Sequence, residues 1–397
     1  MSNILRILHV GSFYPPYVMG GAEMVVEMLA EAQAARGHHV GAAYLTREAQ
    51  PAGERNGVTV MPQQSRNLLW VEDVFASPRA MRTANKLGQM ANYRAAVDFG
   101  RAIAAFRPDI VHTHSMVELP PMIWSAIGRS GARSVHTLHD YDLICSRASR
   151  FRNGKSCEAQ HASCRITGAW KARFTAKIDA VAAVSQPVLD EHRRFGLFTE
   201  LANDRAQIIW NAVDVPTNYR RPVRTGDIVF GFLGRLVPEK GVETLLDACR
   251  LLPETGWRLR IAGKAQEGDA VYRALAEGLP VEFLGFTDPN AFLDTIDLLV
   301  VPSVWREPFG LTVVEAFARG VPVIGSRLGA IVDLVGAVGD DWLVAPGDAP
   351  ALAARMVRVM EDRTKLPGPG AFASVLNAVT PKRMLDAYDN LYGHVLA

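Results

Sequence analysis

A chain of 397 residues, 49% hydrophobic and 21% charged, holds apolar material for two or three packed domains and excludes disorder as its main state. No stretch reaches the ~18 consecutive apolar residues of a membrane span. The formal net charge of +2 divides unevenly: residues 1–210 carry 24 Lys and Arg against 18 Asp and Glu, leaving 19 against 23 for the remainder.

In chain order, the first apolar run is RILHVGS at 6–12. It contains Arg6 and lacks a small-residue cleavage site after it, so Met1 to Val10 is expected to be a first strand and no secretory signal is visible. A helical stretch near 20–36 follows, then HHVGAAYLT at 38–46 and VTVMPQ at 58–63. A polar loop and a helix near 79–106 lead to DIVHTHS at 109–115, SVHTLHD at 134–140, AVAAVS at 180–185 and QIIWNAVD at 207–214. These runs are mostly continuous rather than alternating, as in parallel strands covered on both faces. Repeated strand–helix–strand units predict a doubly wound α/β domain.

After the polar stretch 216–227 the pattern restarts with IVFGFLG (228–234), RLRIAG (258–263), VEFLGF (281–286), LLVVPS (298–303) and VPVIGS (321–326). Two similar α/β halves joined near 214–227 are therefore expected. Their ligand site belongs in the cleft where the carboxyl ends of both sheets face each other.

Chemistry is expected where strands run into helices. Gly20 and Gly21 open the first helix, where backbone N–H groups and the helix dipole favour an anion. The spacing is not G-x-G-x-x-G and strand 38–46 ends without a ribose-binding acid, which counts against a nicotinamide dehydrogenase. In GFLGRLVPEKG, Arg235 and Lys240 form a loop that suits a diphosphate. In VPSVWREPFGLTVVEAFARG, Glu307 lies in a turn as an acceptor for hydroxyls and Glu315 lies inside the following helix. Between them the N–H groups of Gly310, Leu311 and Thr312 are free for a phosphate, which together describes a nucleotide-sugar pocket.

EPFGLTVVEA, with GRLVPEKG upstream, GGAE near the N-terminus and HTLHD ending a strand, resembles the retaining glycosyltransferases of family 4 over nearly the whole chain. The resemblance implies the GT-B fold of two facing Rossmann-like domains: an acceptor-binding domain at 1–215, completed by a C-terminal helix at 382–397, and a nucleotide-sugar-binding domain at 216–381. It implies that Glu307 contacts donor-sugar hydroxyls, Glu315 the ribose, and Arg235 and Lys240 the diphosphate. Gly20 and Gly21 match the glycine loop facing the phosphates, and His139 matches the active-site histidine beside the anomeric centre. Phe309 and Asn211 join the donor-binding set, although NAVD at 211–214 has Ala212 where relatives often have glycine. No residue is an obvious covalent nucleophile, so same-face substitution is the implied mechanism. A hexose would pass from a nucleoside-diphosphate sugar to a saccharide or lipid-linked acceptor, without a cofactor or catalytic metal and without nucleic acid. The alternatives are a nucleotide-sugar epimerase or phosphorylase on this fold and a non-catalytic nucleotide-sugar-binding subunit.

Other features compete for attention. Asp140-Tyr141-Asp142 spells the D-x-D metal signature of a different glycosyltransferase fold and is taken as coincidental. His112 and His114 share one strand face, where satisfied core histidines are the expectation. Cys145, Cys157, His161 and Cys164 have the donor types of a structural zinc site but irregular spacing, so free thiols in a basic loop stay open as the other reading. Four cysteines without an export signal suit a reducing cytoplasm. Segment 129–177, with ten Lys and Arg against three acids and with Phe151, Trp170 and Phe174 interspersed, fits an anionic membrane surface or a solvated face.

Overall fold

The continuous apolar runs become the central strands of two parallel sheets, each in its own folded unit. The structure, a computed structural model, describes residues 4–216, 219, 221, 224–265 and 268–397. Residues 217, 218, 220, 222 and 223 of the expected joint, and residues 1–3 of the expected first strand, lie outside the described residues. One unit comprises Met1–Ser149, Ala159–Asn211 and Pro381–Ala397; the other comprises Arg150–Glu158 and Ala212–Thr380.

In the first unit the strands are β1 (Arg6–Val10), β2 (His39–Thr46), β3 (Gly53–Arg55), β4 (Val58–Gln64), β5 (Ile110–Thr113) and β6 (Arg133–Leu138). After a short hairpin, β7 (Phe151–Arg152) and β8 (Lys155–Ser156), come β9 (Ala180–Ala183) and β10 (Ala206–Ile208). The sheet runs β10-β9-β6-β5-β1-β2-β4-β3, parallel except where β3 meets β4. Ile7, Leu8, Ile110, Val111, Val135 and the whole of Ala180–Ala183 are sealed from solvent, which is why these strands carry no alternation. Helix Gly21–Ala35 packs Val26 and Ala30 onto Val40, Ala42 and Val58. Gly41 lets helix Tyr93–Phe106 approach: a Cβ there would lie 2.7 Å from the Phe106 ring. The C-terminal helix Pro381–Leu396 returns to this unit, burying Tyr388 and Tyr392 and pairing Asp386 and Asp389 with Arg36.

The second unit holds β11 (Ile228–Leu233), β12 (Trp257–Ala262), β13 (Val281–Gly285), β14 (Leu298–Val301), β15 (Val323–Ser326) and β16 (Leu343–Val344). All are parallel, in the order β13-β12-β11-β14-β15-β16. Phe230, Phe232, Leu259 and Ile261 pack against helices Val242–Cys249 and Ala349–Glu361 through Leu245, Leu246, Leu352 and Met356. Buried Asp297 ties the start of β11 down by accepting from the Val229 N–H at 2.8 Å.

The structure differs from the expectations in three places. The helix near 79–106 is two helices, Arg79–Met90 and Tyr93–Phe106, with Asn92 capping the second by accepting from the Ala95 N–H at 3.1 Å. QIIWNAVD keeps strand pairing only through Ile208. The hairpin β7–β8 groups with the second unit, where the Ser156 hydroxyl donates to the Val304 carbonyl at 3.2 Å.

Candidate active site

In the second unit the sequence motifs converge on the loop between β14 and helix Leu311–Ala318. Ser303 and Glu307 are buried there, and Oε1 of Glu307 accepts from the Ser303 hydroxyl at 2.6 Å and from Lys240 Nζ at 2.7 Å. Burial alone would push this carboxyl up, but the Lys240 ammonium and its hydrogen-bond donors hold it below its ordinary value. Lys240 ends a single 3₁₀ turn, Pro238–Lys240, and its ammonium also lies 5.7 Å from the centre of the Trp305 ring. Two glycines shape the pocket. Gly241 has φ +69°, and a Cβ there would sit 2.0 Å from the Pro302 carbonyl oxygen; Gly329 has φ +61°, and its Cβ would sit 2.6 Å from the Glu307 nitrogen.

Helix Leu311–Ala318 starts at Gly310, held at φ +105°. First-turn geometry leaves the Leu311 and Thr312 amides without helical acceptors, while Val313 N–H returns to the Gly310 carbonyl at 3.0 Å. Phe309 is buried beneath this turn. Glu315 is half-buried on the helix; burial, with Asp288 adding repulsion, pushes its carboxyl up to about 7. Arg235 is exposed, and no described residue pairs with its guanidinium. The loop after β11 thus offers exposed Arg235 and brings Lys240 to the Glu307 carboxylate, while the loop after β14 leads into open amides at a helix N-terminus.

The first unit brings other predicted residues together. His139, just beyond β6, lines a crevice with His114, Ser115, Met116 and Asp140, and burial lowers its imidazole to about 4. Its Nδ1 is closed from solvent and unpartnered, whereas its Nε2 lies 3.1 Å from His114 Nδ1. His112 and His114 are both fully bonded in the core. Asn211 is buried at the end of this unit.

Three sequence expectations need correction. The Gly20 amide is not free for an anion, because Glu23 reaches back and accepts from it at 3.0 Å. Burial raises the Glu23 carboxyl. Second, the zinc expectation finds no gathered ligands. Cys145 and Cys164 of the first unit meet in a side-chain hydrogen bond, but among the described residues the one group of three or more whose ligand atoms all lie within 4.8 Å of one another is His9, His112 and His114. The Cys164 sulfur also lies 3.5 Å from the Ser146 hydroxyl, and Cys145 accepts from the Arg147 amide at 3.4 Å. Third, the basic segment is not one free patch. Lys171 is buried 2.6 Å from Asp142, Arg150 is buried, and so is Phe151; Trp170 donates to the Met90 carbonyl at 2.9 Å and packs on Phe174.

Asp140 spends its carboxylate oxygens locally. Asp140 accepts from the Ser115 hydroxyl and from the Asp142 amide, both at 2.7 Å. Burial, then the Asp142 charge, raises Asp140 to about 6; Asp142 is opposed by burial but lowered by Lys171 and Lys86. Ser303, Glu23, Gln33 and His9 escaped the sequence reading. A capping box was legible at Gly20–Glu23, but no local signal links His9 to residues 24 and 105 positions away.

Two Rossmann-like α/β units, one with a glutamate–lysine loop at a helix N-terminus and one with a strand-end histidine, define a GT-B glycosyltransferase. The sequence matches Glycosyltransferase Family 4 over residues 19–216 and Glycosyl transferases group 1 over residues 227–362. The chain belongs to glycosyltransferase family 4. It is similar to glycogen synthase of Mycobacterium tuberculosis, 30% identical over 383 residues covering 90% of this chain and 86% of that one. An uncharacterized 42.6 kDa protein in the cps region of Klebsiella pneumoniae is 28% identical over 333 residues, 83% of this chain and 87% of that one. Among solved structures, sucrose-phosphate synthase of Thermosynechococcus elongatus has a TM-score of 0.77 at 20% identity, covering 98% of this chain and 99% of that one. HepE of Anabaena in complex with UDP has a TM-score of 0.70 at 20% identity, covering 98% and 100%. At such identities the structural likeness is one of fold.

Proposed function

We propose that the protein is a retaining glycosyltransferase that moves a hexose from a nucleoside-diphosphate sugar to a saccharide or lipid-linked acceptor, in the assembly of a polysaccharide or glycolipid. The observation that carries this is the buried Glu307 bonded to Lys240 and Ser303, one turn before the open amides of Leu311 and Thr312. Glu307 orients sugar hydroxyls, Glu315 holds the ribose, and Arg235 and Lys240 take the diphosphate. HepE has been solved with UDP and with UDP-glucose, which supports a nucleotide-sugar donor.

In the reaction the bond from the anomeric carbon to the diphosphate breaks and the diphosphate keeps the electron pair. Arg235, Lys240 and the first-turn amides stabilise that growing charge. An acceptor hydroxyl forms the new bond on the same face, and its proton leaves on the departing diphosphate. His139 acts beside the sugar, and Gly21 with the amides of its helix start acts at the phosphates. The enzyme works in the cytoplasm on the inner face of the membrane, where exposed Arg129, Arg133, Arg147, Arg165, Arg173 and Lys177 meet anionic lipid. No described helix is long and apolar enough to cross a membrane.

A thermal-shift screen of nucleotide-sugars followed by turnover with and without acceptor tests this reading. Transfer that requires acceptor and keeps the anomeric configuration is expected. Isomerisation without acceptor would mark an epimerase, and tight binding without turnover a non-catalytic subunit.

A further inference from the structure

The first unit contains a buried row of hydrogen-bonding side chains that the transfer reaction above does not use. Gln33, on helix Gly21–Ala35, donates from Nε2 to the Tyr392 hydroxyl at 3.1 Å and turns Oε1 to His9 Nε2 at 2.7 Å. His9 Nδ1 lies 2.9 Å from His114 Nε2, and His114 Nδ1 lies 3.1 Å from His139 Nε2. Gln33, His9, His114 and Tyr392 are all buried, and the row ends at the unpartnered Nδ1 of His139. His9, His112 and His114 crowd closely enough to suggest a metal site, but both ring nitrogens of each already have a hydrogen-bonding partner.

Each gap between two facing nitrogens holds one proton, so the direction set at one end passes to the other. The Gln33 carbonyl oxygen only accepts, which places the His9 proton on Nε2 and leaves Nδ1 bare. His114 must then donate from Nε2 and accept at Nδ1, and His139 must donate from Nε2. The Tyr392 hydroxyl receives the Gln33 amide and passes its own proton to His112 Nδ1 at 2.7 Å; His112 Nε2 then donates to Thr137 at 2.7 Å. Burial keeps the rings neutral: His9 and His139 are lowered to about 4, and His114 is lowered well below its ordinary value by burial and neighbouring histidines.

We propose that Gln33, acting through His9 and His114, fixes the tautomer of His139 so that its Nδ1 keeps a bare lone pair, ready for a hydroxyl of the sugar once the crevice beside His139 opens to the donor. Gln33, His9 and His114 are positioning residues. The role of the lone pair rests on the proposed glycosyl transfer, whereas the tautomer itself does not. A sugar hydroxyl donates to a bare Nδ1, whereas with the opposite tautomer it could only accept from Nδ1–H, which reverses the hydrogen bond and turns the hydroxyl hydrogen elsewhere.

The test is ring ¹⁵N–¹H correlation spectroscopy of the full chain at neutral pH, with His139 assigned from the His139→Gln spectrum. In the wild type, His139 is expected as one tautomer, protonated at Nε2; protonation at Nδ1 would overturn the proposal. Gln33→Met removes the anchor while preserving length, so His139 should become a mixture of tautomers, with kcat down about tenfold and nucleotide affinity unchanged. Tyr392→Phe frees the Gln33 amide to turn over and should give the same mixture if Gln33→Met does not fold. An unchanged His139 tautomer in a folded variant would sink the relay. Absence of turnover by the wild type on every donor would sink the transferase reading and leave the tautomer result standing.

Discussion

Lys240 Nζ and Glu307 Oε1 lie 2.7 Å apart although 67 positions separate the residues, and the carboxylate is the more deeply buried partner. Removing the cation therefore leaves an uncompensated buried charge, whereas removing both charges does not. Lys240→Ala is expected to destabilise the second unit by about 2–4 kcal/mol, less than for a fully sealed pair because Lys240 keeps some solvent. Lys240→Ala with Glu307→Gln should recover most of this in thermal unfolding. The carboxyl is held below 4.5, so its stabilisation is present above that pH and is lost as pH falls through the lower folded value. In Lys240→Ala the acid limb should begin at higher pH; an unchanged limb would show that the pair is not formed in solution.

Glu315 behaves in the opposite sense. Its carboxyl is raised to about 7, so the folded state favours the protonated form, and the stability tied to that proton is lost as pH rises through 7. Glu315→Gln should therefore stabilise the protein at pH 8 by on the order of 1–3 kcal/mol relative to pH 5. Ribose hydroxyls, the proposed partners of Glu315, bind a carboxylate better than a carboxylic acid. Nucleotide affinity should consequently rise from pH 6 to pH 8 in the wild type and stay flat in Glu315→Gln, as measured by calorimetric titration.

The two close-packed glycines make a prediction about precision. Gly241→Ala drives a Cβ to 2.0 Å from the Pro302 carbonyl oxygen, and Gly329→Ala drives one to 2.6 Å from the Glu307 backbone. Backbone has to shift in both, at a cost of about 2 kcal/mol or more, and the Lys240–Glu307 geometry shifts with it. Turnover should fall at least tenfold in either variant. Gly88→Ala, in helix Arg79–Met90 with open space around it, is the control and should stabilise by about 0.5–1 kcal/mol.

The β-strands at the centres of both sheets were legible because burial on both faces writes itself as unbroken Ile, Val, Leu and Ala, as in Ala180–Ala183 and Leu298–Val301. The Glu307 loop was legible for a different reason: its proline and glycine mark a turn whose chemistry is local. The hairpin Phe151–Ser156 turned on Asn153-Gly154, a signal that was present but was swallowed by the irregular stretch around it. Glu23 closing the Gly20 amide was also local and was missed because the glycines were read only as an anion loop. His9 meeting His114 was not legible at all, since that contact exists only once β1 and β5 lie side by side.

The proposed membrane attachment has a salt signature. Six exposed cations of the first unit's share of segment 129–177 remain after Lys171 is withdrawn into the core, with Ile166 exposed beside Arg165. At about 1 kcal/mol per cation near an anionic leaflet, flotation with vesicles of anionic phospholipid should succeed in low salt and fail in high salt. Replacing Arg165, Arg173 and Lys177 with Gln should abolish it. Flotation that ignores salt, or none at all, would remove the membrane from the proposal.

Asp142 and Lys171 supply the sharpest stability test, because both are almost wholly buried and 2.6 Å apart. Asp140 turns its own carboxylate to the Asp142 amide and the Ser115 hydroxyl, so Lys171 is the principal counter-charge to Asp142, with Lys86 at 4.0 Å. Lys171→Met should cost about 3–5 kcal/mol by stranding the Asp142 carboxylate in the core, and Asp142→Leu should cost a similar amount by stranding the ammonium. Lys171→Met with Asp142→Leu should be far milder than the sum, giving a coupling energy of a few kcal/mol in a double-mutant cycle. Were Asp140 and Asp142 a divalent-cation site instead, Mn²⁺ would raise the melting temperature of the wild type and Asp142→Asn would abolish that rise. The ion pair predicts no Mn²⁺ effect in either protein, together with strong non-additivity in the cycle.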